Sequence, residues 1–187
     1  MQADDAAVPA SEVSAEPQPG RLRATVNRLV QAMRKDGAVT PGERAALRRQ
    51  RPGEPGGPVF WKLAARYLEP DLLPPAGSRS RDGAERQWAV VMAAIAELAD
   101  LHRTGSGHRL GRVLSDHKVA EARVLRLLRA RDGALLDTVR QVVHQLASRG
   151  ARVDLSDLAN LVTSDGTAWE TAVRRSIALE YYRTHGA

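Results

Sequence analysis

The chain has 187 residues, 43% hydrophobic and 27% charged, proportions that exclude wholesale disorder and allow one well-cored domain or two small subdomains. It has no cysteine, which excludes a disulfide framework and thiolate metal ligation, and its low aromatic content with abundant Ala, Leu and Arg argues for helices over sheets. The net charge of +6 is uneven: residues 1–20 hold four acids (Asp4, Asp5, Glu12, Glu16) and no base, so the rest carries 28 bases against 18 acids, a surplus that favours an anionic partner.

Residues 1–20, small, acidic and broken by Pro9, Pro17, Pro19 and Gly20, read as a disordered tail. The start MQADDAAVPA lacks the basic residues of a secretory signal, and the longest apolar run, Trp88 to Ala96, is too short to cross a bilayer. A soluble, cytoplasmic protein with no membrane partner is therefore expected. From Arg21 a helical pattern sets Leu22, Val26, Leu29, Val30 and Met33 on one face and ends before Gly37. A second helix opens at Thr40-Pro41-Gly42-Glu43, an N-cap, a proline at the first helical position and a capping box, and closes in Arg44, Arg48 and Arg49.

After the loop RPGEPGGP, a third helix places Phe60, Leu63, Ala64 and Tyr67 along one side. A long loop over 71–83 leads to a fourth, roughly Ala84 to Arg103, with Trp88, Val91, Met92, Ile95, Leu98 and Ala99 at helical spacing. TGSG (104–107) breaks it. The second half reads as a short helix near Arg109–Ser115, a helix from Lys118 to Arg131, one from Ala134 to Arg149, a short one from Leu155 capped by Asp154, and a last one capped by Thr167 and reaching Tyr182. No strand alternation occurs. The expected fold is all-α, about eight or nine helices in two closely packed subdomains: 21–104, and 105–187 with a basic face.

Catalytic signatures are missing. The stretch GSGHRLGR follows a helix rather than a strand and lacks the Gly-Lys-Ser/Thr ending of a phosphate-binding loop, so it reads as a helix–helix linker. No histidine sits in metal-ligand spacing with a partner, and Asp100, Asp116, Asp132 and Asp137 are scattered among arginines instead of converging. No catalytic residue, metal, cofactor or small-molecule substrate is expected.

The informative stretch is 108–132, with Arg109, Arg112, Lys118, Arg123, Arg126, Arg129 and Arg131 against only Asp116 and Glu121 before Asp132. On a continuous helix, Lys118, Arg123, Arg126 and Arg129 share one sector, while Ala120, Val124, Leu125, Leu127 and Leu128 face the opposite, core-facing way. A solvated helix face normally interleaves acids four residues away; this one stacks like charges, an arrangement that phosphates relieve, the alternatives being a solubilising face or an inter-subunit salt-bridge surface. Arg131 points elsewhere and reads as a cap. With no aromatic platform in view, binding is expected to be backbone-directed, sequence-tolerant and steeply salt-dependent.

The run LGRVLSDHKVAEARVLRLLRARD, the following helix and VDLSDLANLV together resemble the CasB family, the small subunit of the type I-E CRISPR surveillance complex Cascade. Matching elements are Leu110-Gly111-Arg112, Glu121 with Arg123, the stretch ending in Arg129, Arg140 in the next helix, the Asp154-Leu155 opening and the upstream FWKLAARYL. The resemblance implies a non-catalytic helical subunit, present in two copies beside the other Cascade subunits, guide RNA and target DNA. In that family a basic surface contacts nucleic acid and stabilises the R-loop and its displaced strand. Residue by residue it supports Arg112, Arg123, Arg129 and Arg140; helical geometry adds Arg109, Lys118 and Arg126, and Arg44, Arg48 and Arg49 form a weaker group. A free-standing, nonspecific DNA- or RNA-binding protein, and a metal-dependent nuclease, are the competing readings.

Overall fold

In a computed structural model, residues 19–185 are described except 53, 55, 69–71 and 79. The acidic segment expected over 1–20 lies, up to residue 18, outside the described residues. These form nine α-helices and no strand: α1 Pro19–Met33, α2 Pro41–Arg49, α3 Pro58–Tyr67, α4 Arg81–Leu98, α5 Leu110–Asp116, α6 Glu121–Arg129, α7 Asp132–Ser148, α8 Leu155–Thr163 and α9 Glu170–His185. None is long and apolar enough to cross a membrane.

The all-α expectation holds, and so do the predicted apolar stripes. Leu22, Val26, Leu29, Val30 and Met33 of α1 are buried, as are Leu135, Leu136, Val139, Val142, Val143 and Leu146 of α7. Burial is almost continuous along α4 from Trp88 to Leu98, because this helix packs against α1, α2, α7 and α8 at once. A helix surrounded on all sides must be apolar all round. Its end departs from expectation: instead of continuing to Arg103, the chain tightens into a 3₁₀ turn at Ala99–Leu101 and then extends. The extended segment pairs with Val153, whose carbonyl accepts from Arg103 N–H at 3.1 Å and whose N–H donates to the Leu101 carbonyl at 3.3 Å.

Local signals set several helix starts. The Thr40 hydroxyl accepts from Glu43 N–H while the Glu43 carboxylate accepts from Thr40 N–H at 2.9 Å, a complete capping box. The same carboxylate pairs with Lys62 of α3 at 2.8 Å. With the Lys62 ammonium and Thr40 holding it charged, the Glu43 pKa falls to about 2. Asp154 caps α8 through Ser156 N–H and reaches Arg23 of α1 at 3.0 Å, tying α8 to α1.

A buried histidine sits at this junction. His102 is 4% exposed; its Nδ1 accepts from Leu155 N–H at 3.1 Å, so the proton resides on Nε2, 3.2 Å from Asn27 Oδ1. Burial lowers its pKa, with Arg34 and Arg103 adding to the effect and Asp154 opposing it. A protonated ring would have two donors and would lose the Leu155 bond. The unfolded chain takes up a proton below its ordinary pKa of 6.5 that the fold refuses, so stability is complete above that value and declines as pH falls toward the lowered native pKa. Acidification from neutrality is expected to lower the thermal midpoint more for the native chain than for His102→Gln, compared as slopes against pH. Equal slopes would show that His102 does not carry this dependence.

Candidate nucleic-acid interface

The basic stretch does not form the continuous helix expected from Lys118 to Arg131. α5 ends in a motif that places Lys118 in the left-handed region (φ 50°), with Lys118 N–H on the Ser115 carbonyl at 2.8 Å and Val119 N–H on the Leu114 carbonyl at 2.9 Å. Lys118 therefore terminates α5 and shares no helical sector with the arginines that follow. It is exposed on the turn that precedes α6. At the other end, Asp132 is also left-handed (φ 48°) and breaks α6 from α7.

Within α6 the amphipathic split is real but rotated. Val124 and Leu127 are buried, Leu125 and Leu128 only partly so. Arg126 and Arg129 flank a shallow, open groove with Ala122, Leu125 and Ala130, continued on α7 by Ala134 and Thr138. Ala120 is exposed as well, so it and Leu125 leave the core side expected of them. The helix turns toward α9 through Leu128 and toward α7 through Arg123, whose guanidinium donates to Gln145 Oε1, a neutral partner that leaves its charge uncompensated.

The other arginines are committed to the fold to different degrees. Arg109 pairs with Asp157 at 2.8 Å and reaches Ser176 Oγ at 3.4 Å. Burial acts to lower its pKa, but the Asp157 carboxylate outweighs this and raises it. Asp157 also accepts from Leu110 N–H at 3.0 Å, so the pair fixes the start of α5. Arg112 lies 3.5 Å from Asp116, both half-exposed. Arg140 donates to the carbonyls of Gln50 (2.8 Å) and Arg48 (3.2 Å), capping the end of α2 from α7. Arg44 is largely buried against Asp100 at 3.0 Å and the Ala96 carbonyl at 3.3 Å. Arg48 and Arg49 are exposed at the α2 terminus, without a side-chain hydrogen bond or ion pair among the described residues.

Two groups result. Arg123, Arg126 and Arg129 line α6, with Lys118 and Arg112 at its N-terminal approach; Arg48, Arg49 and Arg140 gather where α2 ends on α7. Since α7 meets α6 through Gln145 and α2 through Arg140, its exposed strip of Asp137, Gln141 and His144 lies between the two groups. Periodicity missed the commitments of Arg44, Arg109 and Arg140 because their partners stand 56, 48 and 90 positions away.

Sequence reading also missed what holds α6 in place. Arg174 of α9, 6% exposed, donates to the carbonyls of Leu127 (3.3 Å) and Leu128 (3.0 Å) and pairs with Asp165 at 2.6 Å. Arg131 donates to the carbonyls of Leu128, Arg129 and Ala130 and pairs with Glu170. At the opposite end, Tyr181 Oη donates to the Val119 carbonyl at 2.9 Å and Tyr182 Oη to Glu121 at 2.7 Å, a bond that raises the Tyr182 pKa. Among the described residues no group of His, Asp and Glu is placed to hold a metal ion.

Comparison with curated proteins gives no match. The fold is similar to the crystal structure of M. ruber CasB, with a TM-score of 0.63 and 19% identity over 86% of this chain and 93% of that one. The sequence profile of CRISPR-associated protein Cse2 matches residues 43–182, which spans α6, its clamp on α9 and both arginine groups. The chain therefore belongs to the CRISPR-associated Cse2 family, the CasB family of type I-E systems.

Proposed function

We propose that this protein is a non-catalytic small subunit of a type I-E Cascade complex that holds nucleic-acid backbone on its basic surface and stabilises the displaced strand of the R-loop. It works in the cytoplasm beside the other Cascade subunits, guide RNA, target DNA and a second copy of itself. One observation carries the reading: Arg126 and Arg129 stand one turn apart on a solvent face with no hydrogen bond or ion pair among the described residues. In this molecule, arginines that serve the fold are visibly engaged, as Arg44, Arg109 and Arg174 are. Two adjacent guanidinium groups left uncompensated repel each other until anions arrive.

R-loop formation exchanges one duplex for another at nearly balanced energy, so a few added backbone contacts shift it. Arg126, Arg129 and Arg123 form the primary contact. Arg112 and Lys118 extend it toward α5, and Arg48, Arg49 and Arg140 extend it across α7. Arg109 and Arg44 contribute through placement of α5 and α2, since their charges are already neutralised.

The test is a salt titration of single-stranded DNA binding with Arg126→Glu/Arg129→Glu. Loss of two phosphate contacts is expected to reduce the slope of log affinity against log salt by about 1.4, with weaker binding at low salt. An unchanged slope and affinity, in a variant that unfolds at the native temperature, would remove the basic-face reading.

A further inference from the structure

Three tryptophans occupy three environments. Trp88 is buried at 2% exposure, and Trp61, 41% exposed, packs edge-on against Phe60 with ring centroids 5.1 Å apart. Trp169 is 54% exposed and its indole has no ring partner among the described residues. Large apolar exposure on a slack loop would need no explanation, but this loop is built. Thr167 Oγ1 donates to the Ser164 carbonyl at 2.7 Å and accepts from Trp169 N–H at 3.3 Å. Gly166 takes a left-handed conformation (φ 78°), and its N–H reaches Glu170 Oε2 at 2.9 Å. The Trp169 carbonyl accepts from Val173 N–H as the first bond of α9.

The loop is also fixed to the C-terminal end of α6. Asp165 accepts from Asp132 N–H at 2.7 Å and Glu170 pairs with Arg131. Both acids nearest Trp169 are thereby consumed by Arg131 and Arg174. Exposed charges without an ion pair among the described residues here are Arg126 and Arg129 on α6 and Arg175 on α9, against Asp132 at the start of α7, a balance that stays positive. An exposed indole on a fixed backbone, on a surface with surplus positive charge, suits a ligand that is anionic and also offers a flat π face. An unpaired nucleotide has both; a duplex hides its base faces.

We propose that Trp169 is a base-stacking residue, which gives the basic surface its preference for single-stranded over double-stranded nucleic acid. The proposal rests on the basic-face reading: phosphates on Arg126 and Arg129 run the strand toward the loop, and a base at its edge lies flat on the indole. Stacking on an aromatic tolerates any base, so the selectivity is for strandedness, not sequence. The hydrogen bonds of the loop fix the backbone of Trp169 before the strand arrives.

The experiment uses the full chain with Trp61→Phe, so that Trp169 dominates the ligand-sensitive fluorescence. A short oligothymidylate and an abasic strand of equal length are titrated at low salt. The oligothymidylate is expected to quench the emission and the abasic strand to bind without quenching. Trp169→Ala is expected to weaken oligothymidylate binding by about 5- to 150-fold and to leave the abasic strand unaffected, while Trp169→Phe retains most of the affinity. Equal weakening for both strands, or no weakening, overturns the stacking role and points to Trp169 as a protein contact or a structural residue. If the abasic strand does not bind the native chain at all, the basic-face reading falls and the stacking role falls with it.

Discussion

Arg174→Leu is expected to lower the unfolding free energy by about 3–5 kcal/mol, seen as a lower denaturation midpoint with an unchanged slope. Arg174 and Asp165 are each almost fully buried at the side chain and stand 2.6 Å apart. Without the guanidinium, the Asp165 carboxylate remains in the interior with Asp132 N–H and a distant Arg131, 4.0 Å away. The carbonyls of Leu127 and Leu128 lose a charged donor at the same time. The double variant Arg174→Leu/Asp165→Leu is expected to recover part of the loss, because it removes the stranded charge that dominates the single variant. Hydrogen exchange adds a local readout, with the last turn of α6 opening faster than α4. A midpoint within about 0.5 kcal/mol of native would place the network among exposed pairs that contribute little.

Gly111→Ala is the second large effect, a loss of about 2–4 kcal/mol from overpacking plus one broken hydrogen bond. A methyl group at Gly111 would lie 2.2 Å from the Ile177 carbonyl oxygen and 3.0 Å from the Tyr181 nitrogen. Both are backbone atoms of α9, so no side chain can swing aside. α5 and α9 must separate, and the Tyr181 bond to the Val119 carbonyl goes with them. Helix propensity alone predicts the opposite, a gain approaching 1 kcal/mol for alanine over glycine. The thermal midpoint decides between the two signs, and a rise would show that α5 and α9 do not need their close approach.

Much of this architecture is legible in the sequence because it is local. The capping box at Thr40 and Glu43, the stripes of α1, α4 and α7, and the Asp154 cap of α8 each depend on residues within a few positions of one another. The limits are equally physical. A helical wheel assumes an unbroken helix, and a lysine in a left-handed conformation at 118 leaves no trace in periodicity. The same assumption places Ala120 and Leu125 in the core. The distinction between arginines spent on the fold and arginines without a partner among the described residues depends on Asp157, Asp100 and the end of α2, all distant in sequence. Gly111 stands out in the sequence only as part of a Leu-Gly-Arg run; the helix it admits begins at Glu170.

The clamp on α6 has a consequence for how its arginine face forms. A nine-residue helix is too short to persist alone in water, and beside its contact with α7 it is held by Arg174, Tyr181 and Tyr182 of α9. The ordered arginine face of α6 therefore depends on the docking of α9.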